Sequence, residues 1–483
     1  MTRDDPSPEP ASTRNSPADA AASLASSNEM GHVARQLSSR IGRLILSPSR
    51  RRLARRSREL RRRLTGAPHR VDYFHQVDDA YAHLAAQALD ALRERYAIEL
   101  RPQLVEPELG PNQPEPELLA SLARRDAAAV APHYALEFDG AEPPAADATR
   151  LGQRILAAAA PDSFGGRAVR VGQALWRGDK DALEALASEL GTADEARTAR
   201  ALAAGNRLRE KLGHYSGAMF HYAGEWYWGV DRLYHLEARL QELGAANSDA
   251  GPRFPRPEIP MHPVPDAARM QLEVYPSLRS PYTAIGFEKA LALAEATGVQ
   301  LEVRPVLPMV MRGVPVTFRK GLYIMQDTKR ESETLGVDFG RMIDPIGEPV
   351  RRAYSLWPWA KQRGAGNALL AAFLRAAFAE GVDTSRVAGL RQVVETAGLP
   401  WLEAAAIVGD RGWEAELEAN RLTLYEEMGL WGVPSFRLRG PAGEPDFSSW
   451  GQDRLWLLAR EIQRRGQLPS APPVREPQPP RST

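Results

Sequence analysis

Two periodicities divide the chain. Runs such as Leu272-Glu273-Val274-Tyr275 and Leu301-Glu302-Val303-Arg304-Pro305 place β-formers at strand spacing over four or five positions. Residues 367–380, 387–397 and 413–427 instead bring apolar side chains back every three or four positions, as one face of a helix does. Gly364, Gly366, Gly381, Gly398 and Pro400 punctuate these stretches. The second half therefore reads as strand, helix and strand, then a long helical stretch, then a strand-rich close containing Ser435-Phe436-Arg437-Leu438.

The same order occurs earlier. Residues 71–84 align without gaps on 272–285, and Ile98-Glu99-Leu100-Arg101-Pro102 aligns on Leu301 to Pro305. Residues 213–220 align on 429–436, and Trp228-Gly229-Val230-Asp231-Arg232-Leu233 on Trp450-Gly451-Gln452-Asp453-Arg454-Leu455. Four matched blocks in one order predict a fused tandem of one α/β fold. The expected organisation is a disordered segment then an arginine-rich arm over 1–68, a first copy over 69–245, a linker over 246–268, a second copy over 269–466 and a disordered tail over 467–483. Prolines 252, 255, 257, 260, 263 and 265 make the linker semi-rigid and extended.

Residues 1–30 are rich in Ser, Ala, Pro and Asp and too poor in apolar periodicity to fold alone. The neighbouring arm is arginine-dense, with Ile41, Leu44, Ile45, Leu53, Leu60 and Leu64 at partly helical spacing. Two readings stay open for 35–63: a basic amphipathic helix that touches anionic lipid or RNA, or a solvated helix packed on the body, the latter preferred.

Composition narrows the chemistry. Basic and acidic residues number 62 and 61, a formal net charge of +1, so no global field draws nucleic acid or membrane. Arginine far exceeds lysine and Ala, Gly and Pro are abundant, the mark of a GC-rich bacterial genome. No apolar run reaches the roughly 20 residues that cross a bilayer, and the first residues lack a secretory pattern, so the cytoplasm is expected. The chain has no cysteine, which removes disulfides, thiolate metal sites and thiol–disulfide exchange by the protein itself.

The most informative corner is Ser280-Pro281-Tyr282-Thr283, where a strand delivers its end to a helix N-terminus. Free N–H groups and the macrodipole favour negative charge there, and a serine can hold another molecule's thiolate. Ser280 as a plain helix cap, with Pro281 at the first helical position, is compatible with that role.

Residues 272–460 resemble the DsbA-like thioredoxin branch that includes kappa-class glutathione transferases and 2-hydroxychromene-2-carboxylate isomerases. The resemblance is carried by Ser280-Pro281-Tyr282-Thr283, the run Phe318-Arg319-Lys320-Gly321-Leu322-Tyr323, residues 371–381, Trp431-Gly432-Val433-Pro434-Ser435-Phe436 and Trp450-Gly451-Gln452-Asp453-Arg454-Leu455. It implies two tandem thioredoxin-like domains, each with a long helical insertion, and glutathione or another small thiol as cofactor with no metal. Ser280 would donate a hydrogen bond to the thiol sulfur, Val433 and a cis Pro434 would bind the tripeptide backbone, and Lys320 would receive a carboxylate. Asp453 would take the γ-glutamyl ammonium or, equally, stabilise its own helix. Gln452 stands where the family often has serine, and the asparagine that kappa-class enzymes carry upstream of the lysine motif has no counterpart in 309–315. Tyr282, Trp357 and Trp431 are candidates for a hydrophobic substrate wall, and all three could equally be core.

The first copy lacks these groups: Asp79-Ala80 replaces Ser-Pro and Ala218 replaces Pro434. An aspartate at the thiolate position would repel the ligand. His75, Asp78, Asp79, His83, His214 and His221 could cluster as a metal or acid–base site, or be polar remnants of a degenerate domain, the preferred reading. Glu225-Trp226-Tyr227-Trp228 could form a ligand platform, or its alternating aromatics could be packing in a closing strand, the preferred reading. Asp231 and Arg232 suit helix capping and an ion pair. The resemblance thus implies a thiol-dependent isomerase or transferase for a hydrophobic electrophile, and with the tandem arrangement it makes the first copy an intramolecular pseudo-dimer partner. The alternative is a non-catalytic thioredoxin-fold interaction protein, and a disulfide oxidoreductase ranks last.

Overall fold

The computed structural model describes residues 32–467. The two segments expected to be disordered, the first 30 residues and the tail, lie outside them apart from Gln467. The described chain builds two four-stranded sheets. The first orders β1 (His69–His75), β2 (Ile98–Leu104), β3 (Met219–Tyr222) and β4 (Glu225–Trp228) as β2-β1-β3-β4. The second orders β5 (Gln271–Tyr275), β6 (Gln300–Val303), β7 (Ser435–Arg439) and β8 (Phe447–Trp450) as β6-β5-β7-β8. In each, the first two strands run parallel and the other pairings are antiparallel. Val71, Tyr73 and Phe74 in the first sheet and Leu272, Val274 and Tyr275 in the second are fully buried, because helices cover the sheets.

The registers agree residue for residue. Tyr73 pairs with Phe220 as Val274 pairs with Phe436, and Met219 pairs with Trp228 as Ser435 pairs with Trp450. One sequence alignment needs correction: Val71 opposes Leu100 and Leu272 opposes Leu301, so Leu100, not Ile98, is the counterpart of Leu301. A slip of two residues keeps every side chain on the same face, so hydrophobic pattern alone does not detect it.

Six helices frame the site and the contact between the halves: α1 (His32–Ile45), α2 (Pro48–Leu64), α3 (Ala80–Gln87), α4 (Pro116–Val130), α5 (Pro281–Thr297) and α6 (Phe318–Leu335). The arm α1–α2 lies against the body. The Arg35 guanidinium donates to the carbonyls of Asp344 and Ile346, Leu46 enters the core of the C-terminal half, and Arg55 makes a two-pronged ion pair with Glu225 at 2.7 and 2.8 Å. The segment expected as a linker packs against the body as a strap. Phe254 is buried in the N-terminal core, where Glu237 accepts hydrogen bonds from the N–H groups of Arg253 and Phe254, and Arg256 reaches Glu331.

The halves hold each other reciprocally. Leu122 on α4 is buried among Tyr275, Val306, Leu424 and Trp431 of the C-terminal half, and Tyr323 on α6 is buried among Phe74, Met219 and Trp226 of the N-terminal half. The gapless alignment of 71–84 on 272–285, extended, carries Leu122 onto Tyr323 and Asp126 onto Asp327. Tyr81 donates to Asp126 at 2.9 Å, and Arg454 from the other half grips Asp126 at 2.6 and 2.8 Å and Asp231 at 2.8 and 3.0 Å. In mirror fashion Tyr282 donates to Asp327 at 2.8 Å, while Arg232 grips Asp327 at 3.0 and 3.1 Å and Asp453 at 2.7 Å. Burial would lower both arginine pKa values, but the facing carboxylates outweigh it and hold them well above the ordinary value.

Removing one member of such a network leaves the others buried and uncompensated. Arg454→Ala should therefore destabilise the folded protein by about 3–5 kcal/mol, read from chemical denaturation. A loss below about 1 kcal/mol, the level of an exposed ion pair, would show that the network carries little.

Candidate functional site

β5 ends at Tyr275 and the chain turns through Ser277 to Ser280, the cap of α5. The Ser280 hydroxyl accepts from the Thr283 N–H at 3.1 Å and donates to the Val433 carbonyl, also at 3.1 Å. The Val433–Pro434 peptide is cis. The hydroxyl, the helix N-terminus and the backbone before Pro434 thus meet at one corner. They face a cavity of about 710 Å³ lined by Ser280, Tyr282, Lys320, Val433 and Asp453, with Met309, Val310, Met325, Met342 and Trp450 making it mainly apolar.

Both halves build this cavity. Tyr81, Leu119, Leu122 and Trp228 reach it from the N-terminal half, and Ile41 and Ile45 reach it from α1. Trp228 and Trp450, which open the two matched Trp-Gly-x-Asp-Arg motifs, both line it. Sequence reasoning weighed the run ending in Trp228 as a ligand platform but preferred packing, and it did not offer Trp450 for the wall. Their shared motif position was the available signal, since it sets each at the end of a sheet's last strand.

The remaining candidates divide. Lys320 borders the cavity, donates to the Asn112 carbonyl at 3.1 Å, and burial lowers its amine to about 8. Asp453 borders the cavity but its carboxylate is held by Arg232. Burial acts to raise the Asp453 pKa, yet the Arg232 and Arg454 guanidinium groups overcome it and the net shift is downward. Gln452 is turned away: it is 2% exposed and donates to Glu331 at 2.8 Å, within a buried cluster that includes His235 and Arg256. Trp357 and Trp431 belong to the core rather than to the cavity wall. Large apolar rings at helical or strand spacing fill cores first, and these two are each 1% exposed. Tyr282 lines the cavity through its ring while its hydroxyl serves Asp327.

In the N-terminal half Asp79 caps α3 by accepting from the Tyr81 N–H, and burial raises its carboxyl to about 7. Burial holds His75, His83 and His214 at about 3, 4 and 3, so their imidazoles are neutral near pH 7. Among the described residues no three His, Asp or Glu side chains are grouped to hold a metal ion. Trp226 and Tyr227 of the aromatic run are buried, and only Trp228 reaches the cavity.

Residues 271–463 match the model of the DSBA-like thioredoxin domain. The C-terminal half carries that domain. Solved structures similar to the chain include a probable DsbA oxidoreductase from Streptomyces coelicolor, at 21% identity over 42% of this chain and 93% of that one with a TM-score of 0.33. A 2-hydroxychromene-2-carboxylate isomerase matches at 17% identity over 40% and 95% with a TM-score of 0.33. The cytosolic disulfide reductase DsbM from Pseudomonas aeruginosa, solved with GSH, matches at 23% identity over 40% and 99% with a TM-score of 0.30. No curated protein matches the chain. No helix among the described residues is long and apolar enough to cross a membrane.

The Lys320 amine supplies a pH test. A protonated amine attracts a carboxylate and a neutral one does not, so affinity for an aryl carboxylate such as 2-naphthoate should fall as pH rises through about 8. Fluorescence titration from neutral to alkaline pH should record that fall in the wild type and a flat profile in Lys320→Met. A flat profile in both would mean that Lys320 does not face the ligand.

Proposed function

We propose that the protein is a thiol-dependent isomerase or transferase for apolar electrophiles, working at the Ser280 corner of the C-terminal half. The observation that carries this reading is the Ser280 hydroxyl, set at the N-terminus of α5 beside the cis Val433–Pro434 backbone and opening on a large apolar cavity. A thiol pKa of about 8.5 falls toward neutrality beside a helix N-terminus and a hydroxyl donor, so a bound thiol would be held as thiolate. Lys320 borders the same cavity and its amine, at about 8, is protonated near neutral pH, so its charge would favour the thiolate while the thiol proton leaves to solvent.

The thiolate sulfur would add to an electron-poor carbon–carbon double bond and push the electron pair onto the conjugated carbonyl. Rotation about the new single bond and departure of the same thiolate return the double bond in its other geometry, with no thiol consumed. With a leaving group on the carbon, the sulfur stays and a conjugate forms instead. Glutathione would enter with its ammonium sharing Asp453 with Arg232, so the amine end gains less than at a free carboxylate, and other small thiols fit the corner as well. The two halves are read as tandem copies of one fold, with the domain limits at 69–245 and 269–466. The first copy acts as a built-in partner that contributes Tyr81, Leu122 and Trp228 to the wall.

A second reading is a binding protein for apolar ligands without thiol chemistry. It is favoured by the fact that Ser280, Lys320, Gln452 and Asp453 all have partners within the chain already.

Glutathione titration by calorimetry, on the full-length protein and on Ser280→Ala at pH 6.5 and pH 8, separates the two. Binding with proton release in the wild type, lost in Ser280→Ala, is the expected result. No binding by either protein would overturn the thiol reading and leave the binding protein.

A further inference from the structure

The arm packs the wrong way round for a solvated helix. After Pro48, the half-buried positions on α2 are Arg51, Arg55, Glu59 and Arg62, whose charges are used internally: Arg51 on Glu333, Arg55 on Glu225, and Arg62 on Glu59 and the Ala67 carbonyl. The leucines face out, with Leu53, Leu60 and Leu64 at 68%, 60% and 78% exposed. At about 100° per residue these three form one stripe. Arg52, Arg56 and Arg63 flank it on one side and Arg50 and Arg61 on the other. Arg50, Arg56 and Arg61 pair with no carboxylate among the described residues.

α1, the other helix of the arm, also exposes apolar side chains at Leu37, Ile41, Leu44 and Ile45. Seven of the thirteen exposed large apolar side chains among the described residues therefore lie between positions 37 and 64. Ile41 and Ile45 also line the cavity, as does the largely exposed Phe318, so the mouth of the cavity opens beside this surface.

We propose that the α1–α2 arm seats the protein on an anionic lipid surface, with the leucine stripe among the acyl chains and the flanking arginines at the headgroups, so that the cavity mouth faces the bilayer. A leucine stripe bracketed by arginines complements an apolar layer capped by negative charge. A nucleic acid would use the arginines and leave the leucines in water. A second copy meeting the same surface across a two-fold axis would bring arginine against arginine. The docking stands independently of the thiol chemistry at Ser280.

Co-sedimentation of the full-length protein with vesicles of phosphatidylcholine, alone or with one third phosphatidylglycerol, tests it. The wild type should bind the anionic vesicles, bind the neutral ones weakly, and release with salt. The combined variant Leu53→Asp, Leu60→Asp and Leu64→Asp should bind the anionic vesicles about tenfold more weakly or worse. Its melting temperature should not fall, since these leucines lie outside every buried cluster. Arg50→Gln, Arg56→Gln and Arg61→Gln together should lower binding and flatten its salt dependence. A wild type that stays in the supernatant, or a leucine variant that sediments as well as the wild type, overturns the proposal. So does a leucine variant that turns a dimer into a monomer while vesicle binding is absent, which assigns the stripe to a second copy.

Discussion

A pair of arginines exchanged between two halves organises this molecule. Arg232 leaves the N-terminal half to meet Asp327 and Asp453, and Arg454 leaves the C-terminal half to meet Asp126 and Asp231. Each guanidinium is almost wholly removed from water, so neither half can expose it cheaply once the other is withdrawn. The geometry fixes how the two halves sit against each other, and both contribute to the cavity wall. Its wall includes Asp231, Arg232, Asp453 and Arg454 themselves.

The same exchange decides what the cavity offers a ligand. An aspartate held by an intramolecular arginine is a weaker receptor for an external ammonium than a free one, because the new cation must share the carboxylate. Ser280 differs, since its hydrogen bond to the Val433 carbonyl is neutral and can be redirected to an entering thiolate at modest cost. Lys320 differs again: desolvation lowers its amine to about 8, still charged near neutral pH, and among the described residues its amine donates to a carbonyl rather than to a carboxylate. The corner therefore offers a neutral hydroxyl donor and a cationic amine more readily than a free carboxylate.

Much of this was legible in the chain. Strand alternation, helical periodicity and the four matched blocks correspond to the two sheets of equal order, and Ser280 and Pro434 stand out because turn and cap chemistry is local in sequence. What escaped is tertiary. The two-residue slip at β2 preserves the pleat, so alternation does not register it. Asp126 and Asp327 look like ordinary helix charges until Arg454 and Arg232 arrive from the other half. Gln452, Trp357 and Trp431 sit in the right motifs or spacings, yet burial against Glu331 and the core takes them out of the site. On α2 the arginines and leucines were visible, but which face turned inward depended on Glu225 and Glu333, far away in sequence.

A double-mutant cycle across Arg232 and Asp453, using Arg232→Met, Asp453→Asn and the combined variant, measures the exchange directly by unfolding free energy. A buried arginine paired with a half-buried carboxylate of the other half requires a coupling of about 1–3 kcal/mol between the two sites. Additivity within about 0.5 kcal/mol would contradict it and reduce the crossing of the arginines to an incidental contact.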